Sequence, residues 1–153
     1  ISSLTGEHRV LRVDILQDVG ASLVPGIDLG QVEGAFIQGM GWLTNEELSW
    51  DAGGKIKTYA PSTYKIPTCS DRPTKMNTAL WSGGENREST VHRSKAVGEP
   101  PLMLAISVHQ ALSDAVSSIS GYRHVPDLNA PATPEALLHA MVHERQRAAA
   151  SIS

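Results

Sequence analysis

Cysteine is nearly absent from this sequence. Cys69 stands alone among 153 residues, so no intrachain disulfide and no thiolate cluster for zinc or an iron-sulfur centre is available, and a reducing, cytoplasmic setting fits best. Long apolar runs are also missing. The strongest, residues 102–105 with Ile106 and Val108 following, falls short of the roughly 20 residues a helix needs to cross a bilayer. No basic-then-apolar leader opens the chain. Neither charge sign dominates: 13 Lys and Arg face 16 Asp and Glu, a net charge of -3, which gives no electrostatic reason to expect a nucleic-acid or anionic-membrane partner. Ile1 stands where an initiator methionine would, and a strand-like run follows almost at once, so the expectation is a piece of something longer.

What remains is ordinary globular material, 41% hydrophobic and 19% charged, of a length that suits one domain. Residues 9–19 are β-branched and alternate imperfectly, which predicts a strand ending near Gly20. From Gly30 the period changes. Val32, Ala35, Phe36, Gly39, Met40 and Leu43 follow helical spacing, with glycines on or near the apolar face that favour close backbone packing. Residues 51–54 read as a turn, residues 55–59 as a short strand, and residues 61–73 as loop punctuated by proline. Residues 78–81 and 89–93 read as two strands joined in a hairpin-like return. A helix is predicted over residues 102–118, with Leu104, Val108, Ala111, Leu112 and Ala115 on one face and Gly121 as its stop. Thr133 is placed to cap a last helix through about Ala148. Strands and helices mix without a strand-helix-strand rhythm, so the predicted class is α+β.

Several motifs fail on inspection. Gly34, Gly39 and Gly41 are not followed by Gly-Lys-Ser/Thr and fall inside a helical pattern, which argues against a phosphate loop. His139 and His143 share a helix face beside Glu144, but without the order of a zinc protease, and a solvated face is the simpler reading. No serine sits in a nucleophile elbow. Residues 94–102, SKAVGEPPL, differ because the chain is overdetermined there. Gly98 permits close approach to the backbone, and Pro100 and Pro101 stiffen the chain beyond Glu99 as a helix opens. A carboxylate on such a corner suits a general base, since a helix start favours its ionised form. The plain alternative is electrostatic capping of that helix.

Residues 30–41 (GQVEGAFIQGMG), 61–67 (PSTYKIP) and 94–102 resemble three consecutive signatures of the molybdenum-binding subunit of the xanthine dehydrogenase family. The resemblance runs from about Asp14 to Ser118 and includes Glu46-Glu47-Leu48. It implies the C-terminal portion of a molybdopterin-binding domain spanning residues 1–153, from an enzyme that oxidises hypoxanthine or xanthine to urate. In that family a carboxylate matching Glu99 deprotonates a hydroxyl on molybdenum, which then attacks an electron-poor carbon of the purine. Gln31 matches a glutamine that hydrogen-bonds the molybdopterin, and Gly98 a glycine close to the metal. FAD and 2Fe-2S clusters on other domains or another subunit, with NAD as final acceptor, complete the implied set. The two prolines after Glu99 resemble xanthine dehydrogenases more than aldehyde oxidases.

The family's residues that orient and sandwich the purine, and most of its pterin contacts, lie upstream of anything present here. The isolated chain is therefore expected to be inactive, to hold the molybdenum cofactor weakly, and to expose apolar patches that favour self-association. Two other readings stay open: a related hydroxylase of aldehydes or N-heterocycles, and a non-catalytic assembly module that docks on a larger subunit.

Overall fold

The computed structural model describes residues 1–151. The first strand, β1 (Arg12–Gln17), turns Val13, Ile15 and Gln17 inward and Arg12, Asp14 and Leu16 outward, as the two-residue period of a pleated strand requires. The first helix, α1 (Pro25–Thr44), begins five residues before the predicted start at Gly30. Proline at its first position needs no amide partner there and presets the helical φ, so the helix opens where hydrophobic periodicity gives no signal. Its buried stripe is Val32, Phe36, Gly39 and Met40.

The second strand, β2 (Lys75–Leu80), lies three residues earlier than predicted and pairs in parallel with β1, with Val13 opposite Met76, Ile15 opposite Thr78 and Gln17 opposite Leu80. A β-α-β unit therefore exists, contrary to the expected absence of that rhythm. The long loop between α1 and β2 hides it in the sequence. The predicted hairpin does not form: residues 89–93 run as coil into a 3-10 turn at Val91–Arg93, and Ser94 makes an antiparallel bridge with Gly20 instead. The strand expected at residues 55–59 reduces to one bridge, Trp50 with Ile56. There the carboxylate of Asp51 accepts from the amides of Gly53 and Lys55, both at 2.9 Å, and curls the chain too tightly to extend.

The predicted helix over residues 102–118 is two helices, α2 (Pro100–Leu104) and α3 (Ile106–Ser117), broken at Ala105 and ended by Gly121 at φ 64°. Its core face is Ala105, Val108, Leu112 and Val116, while Leu104, Ala111 and Ala115 are exposed. Taken together, Pro100–Ser120 spans 21 residues and holds an 18-residue window of mean hydropathy 1.3, long and apolar enough by composition to cross a membrane. This corrects the expectation of no such stretch, which counted only uninterrupted apolar residues. His109 and Asp114 interrupt it, both costly in hydrocarbon, and its buried face packs in the core. The last helix, α4 (Pro134–Ala150), starts as predicted, with the Thr133 hydroxyl accepting from the Ala136 amide at 3.2 Å.

One core joins these elements. Ile15, Val32, Phe36, Met40, Val108, Leu112, Val116, Leu137 and Met141 pack together, so the sheet, α1, α3 and α4 share it. The class is α+β, as predicted. Beyond the core, Leu16, Leu23, Val24, Ile27, Trp42, Met103 and Ile106 are exposed, so apolar surface is present as the sequence led one to expect.

Candidate active site

Glu99 stands at the N-cap of α2, exposed, with φ -85° and ψ -42°, and its side chain makes no capping hydrogen bond. Its carbonyl accepts from the Leu102 amide at 3.1 Å, so the backbone turns the corner while the carboxylate stays uncommitted. Downstream, Pro101 is buried, and α2 lies hard against α1: a Cβ built on Gly39 would meet the Leu102 carbonyl oxygen at 2.3 Å and the Ala105 Cβ at 2.8 Å. Only a glycine permits that approach.

The same packing brings the second candidate to the first. Gln31, on α1, places its side-chain oxygen 3.3 Å from where a Cβ on Gly98 would stand. Sixty-seven positions apart in sequence, Gln31 and Gly98 are brought side by side. No protein partner for the Gln31 amide or the Glu99 carboxylate is present among the described residues. All three residues lie on open surface. A cavity of about 660 Å³ lies elsewhere, with His8, Arg9, Thr44, Asn45 and Asp71 among its walls.

The approach to Gly98 is tied to the end of β1. The Lys95 amide donates to the Val19 carbonyl at 2.8 Å, and the Lys95 ammonium reaches the Asp18 carboxylate at 2.6 Å. The other oxygen of Asp18 accepts from the Gly20 amide at 2.8 Å. Lys95 and the Gly20 amide together hold the Asp18 carboxyl below the usual carboxylate range. Neither Asp18 nor Lys95 stands out in the sequence, because their contact spans 77 positions.

The second signature, residues 61–67, closes on the far end of α1. Tyr64 donates its hydroxyl to Glu46 at 2.5 Å, and Pro67 packs on Gly41, where a Cβ would come within 2.3 Å of the proline ring. His139 and His143 are exposed on α4, as expected of a solvated face, and among the described residues no group of three metal-ligating side chains assembles. Glu144 does not share that face. It is fully buried, turned inward by the 100° step from His143.

These residues fit a molybdenum-pterin group: a glycine that leaves room beside an amide able to donate and accept, with a free carboxylate adjoining. Residues 1–73, which include Gln31 but not Gly98 or Glu99, match the family described as molybdopterin cofactor-binding domain. The fold is shared with the reconstituted CO dehydrogenase of Oligotropha carboxidovorans, at a TM-score of 0.80 and 21% identity over 96% of this chain and 18% of that one. Most of the chain is also similar in sequence to xanthine dehydrogenase/oxidase and aldehyde oxidase proteins. It is 44% identical to xanthine dehydrogenase/oxidase of Felis catus over 96% of its own length, and 47% identical to aldehyde oxidase of Homo sapiens over 88%. It spans about 11% and 10% of those relatives.

Proposed function

We propose that this chain forms part of the active site of a molybdenum hydroxylase that oxidises hypoxanthine and xanthine to urate, with Glu99 as general base. The observation that carries the reading is the approach of the Gln31 side-chain oxygen to Gly98, the residue directly before the unpartnered carboxylate of Glu99. Molybdenum-molybdopterin, when bound, supplies the two-electron oxidation, with FAD, 2Fe-2S clusters and NAD on other domains or subunits as the electron path. Gln31 holds the edge of the pterin through its amide, and Gly98 leaves the space beside it unfilled. The Glu99 carboxylate takes the proton of the attacking oxygen nucleophile and holds it while the purine carbon is oxidised. The stiff corner fixes the base in place before substrate arrives, which is where most of its catalytic worth arises.

Similar identity to an aldehyde oxidase favours a second reading, in which the substrate is an aldehyde or an N-heterocycle. One experiment addresses both. The complete parent subunit with its electron-transfer partner is compared with Glu99→Gln for molybdenum content and for turnover of xanthine, an aldehyde and quinoline. Retained metal with turnover down by roughly four orders of magnitude, in the range such positioned bases supply, is the expected result. Faster turnover of an aldehyde than of xanthine in the unaltered enzyme gives the second reading. Undiminished turnover in Glu99→Gln removes Glu99 from the chemistry and leaves an assembly module. The isolated chain, lacking most of the pterin contacts, is expected to show no turnover and to self-associate through its exposed apolar faces.

A further inference from the structure

The backbone leading to Glu99 is strained. His92 and Arg93 both take left-handed conformations, at φ 48° and 59°, which non-glycine residues adopt only under constraint. Local hydrogen bonds hold them there. The Arg93 guanidinium donates to the carbonyls of Asn86, Arg87 and Glu88 at 3.4, 3.2 and 3.2 Å. Its own carbonyl accepts from the amides of Ala21 and Asn86, both at 3.1 Å. Immediately after this knot the chain meets the end of β1, through the bridge of Ser94 with Gly20 and the Lys95 amide on Val19. Gly20, at φ 64°, has no room for a side chain, since a Cβ would stand 2.4 Å from the Arg93 carbonyl oxygen.

Asp18 grips both sides of this junction. One oxygen fixes the turn of its own chain at Gly20, and the other holds Lys95. With side chains 42% and 36% exposed, the pair adds little to the stability of the fold. Its effect is therefore on position more than on stability. Only Ala96, Val97 and Gly98 separate Lys95 from Glu99, and on the far side Gly39 locks α2. The base-bearing corner is thus pinned at both ends, by a charge pair before it and a backbone contact after it.

We infer that Asp18 and Lys95 are positioning residues for Glu99, fixing the register of residues 94–99 against β1 and so the place of the carboxylate beside Gln31. This rests on Glu99 being the base. The test uses the parent enzyme with its partner and four variants: Asp18→Asn, which keeps the acceptor for the Gly20 amide, Lys95→Gln, the two combined, and Lys95→Arg. Each single neutralisation lowers kcat about ten-fold, as a small misplacement of a catalytic group does, with KM little changed. The combination is no worse than the poorer single, because both remove one interaction, and Lys95→Arg restores kcat. Hydrogen exchange at the Lys95 and Ala21 amides, measured on the cofactor-free protein, quickens in the neutralised variants and not in Lys95→Arg. Unchanged kcat in both singles, losses that multiply in the combination, or unchanged exchange overturns the inference. Glu99→Gln is run in parallel. If it abolishes turnover while the Asp18 and Lys95 variants keep theirs, only the positioning role fails; if it keeps turnover, both fall.

Discussion

Gly39 on α1 lies so close to Leu102 on α2 that a methyl group at position 39 would stand 2.3 Å from the Leu102 carbonyl oxygen. No side chain can swing aside to relieve that contact, because the obstacle is backbone. It is the point through which α1 sets the corner at Glu99.

Gly39→Ala therefore forces the two helices apart. The gain in helix propensity, up to about 1 kcal/mol, is outweighed by overpacking, and a net loss of about 2 kcal/mol is expected. Gly30 and Gly34, on the same helix, have nothing within 4 Å of a built Cβ. Alanine at either should raise the stability of the chain by about 0.5–1 kcal/mol. Urea unfolding of the three variants checks this, and equal destabilisation by all three would show that the Gly39 contact is not the reason.

Which parts of this arrangement the sequence displays follows from how local their causes are. The cap at Thr133, the stop at Gly121 and the buried stripe of α1 depend on neighbours within a turn or two, and all three are legible. Parallel pairing of β1 with β2 is not, since its partners lie about sixty positions apart and a nearby run, residues 89–93, offers a plausible wrong partner. Ala105 marks the break between α2 and α3, yet alanine is the best helix former. Only the close approach of α1 reveals why the chain tightens there. At the site, Gly98 and the two prolines announce a stiff corner around Glu99, whereas the arrival of Gln31 and the tie from Asp18 to Lys95 are consequences of the fold.

Tyr64 and Glu46 give a prediction with a sign. The hydrogen bond to the Glu46 carboxylate, then burial, then the negative charge of Glu46 raise the Tyr64 phenol above its ordinary value. A group whose folded value is raised contributes stability that is intact below its unfolded pKa, about 10 for tyrosine, and lost as pH rises through the folded value. The difference in stability between the wild type and Tyr64→Phe should thus be constant from pH 7 to about 9 and shrink above pH 10. Unfolding midpoints across that range measure it. A difference that persists undiminished at high pH would mean that the hydroxyl stabilises the chain by something other than donating its proton to Glu46.

Glu144 is completely buried; one of its oxygens accepts from Arg147 at 2.8 Å, and the other has no partner. Arg147 also donates to the Val125 carbonyl at 3.2 Å, so a single guanidinium both neutralises the buried carboxylate and fastens the loop before α4. Removing the cation strands the anion, and breaking a buried pair from one side costs about 3 kcal/mol or more. Removing the anion leaves an arginine that is 36% exposed and can turn to water. Arg147→Met should therefore destabilise the chain by about 3 kcal/mol, Glu144→Gln by distinctly less, and the double change by little more than Glu144→Gln alone. Chemical denaturation of the three variants reads the coupling directly. Additive losses would show that Arg147 acts through Val125 and not through the carboxylate, and that the charge of Glu144 is tolerated in the core without it.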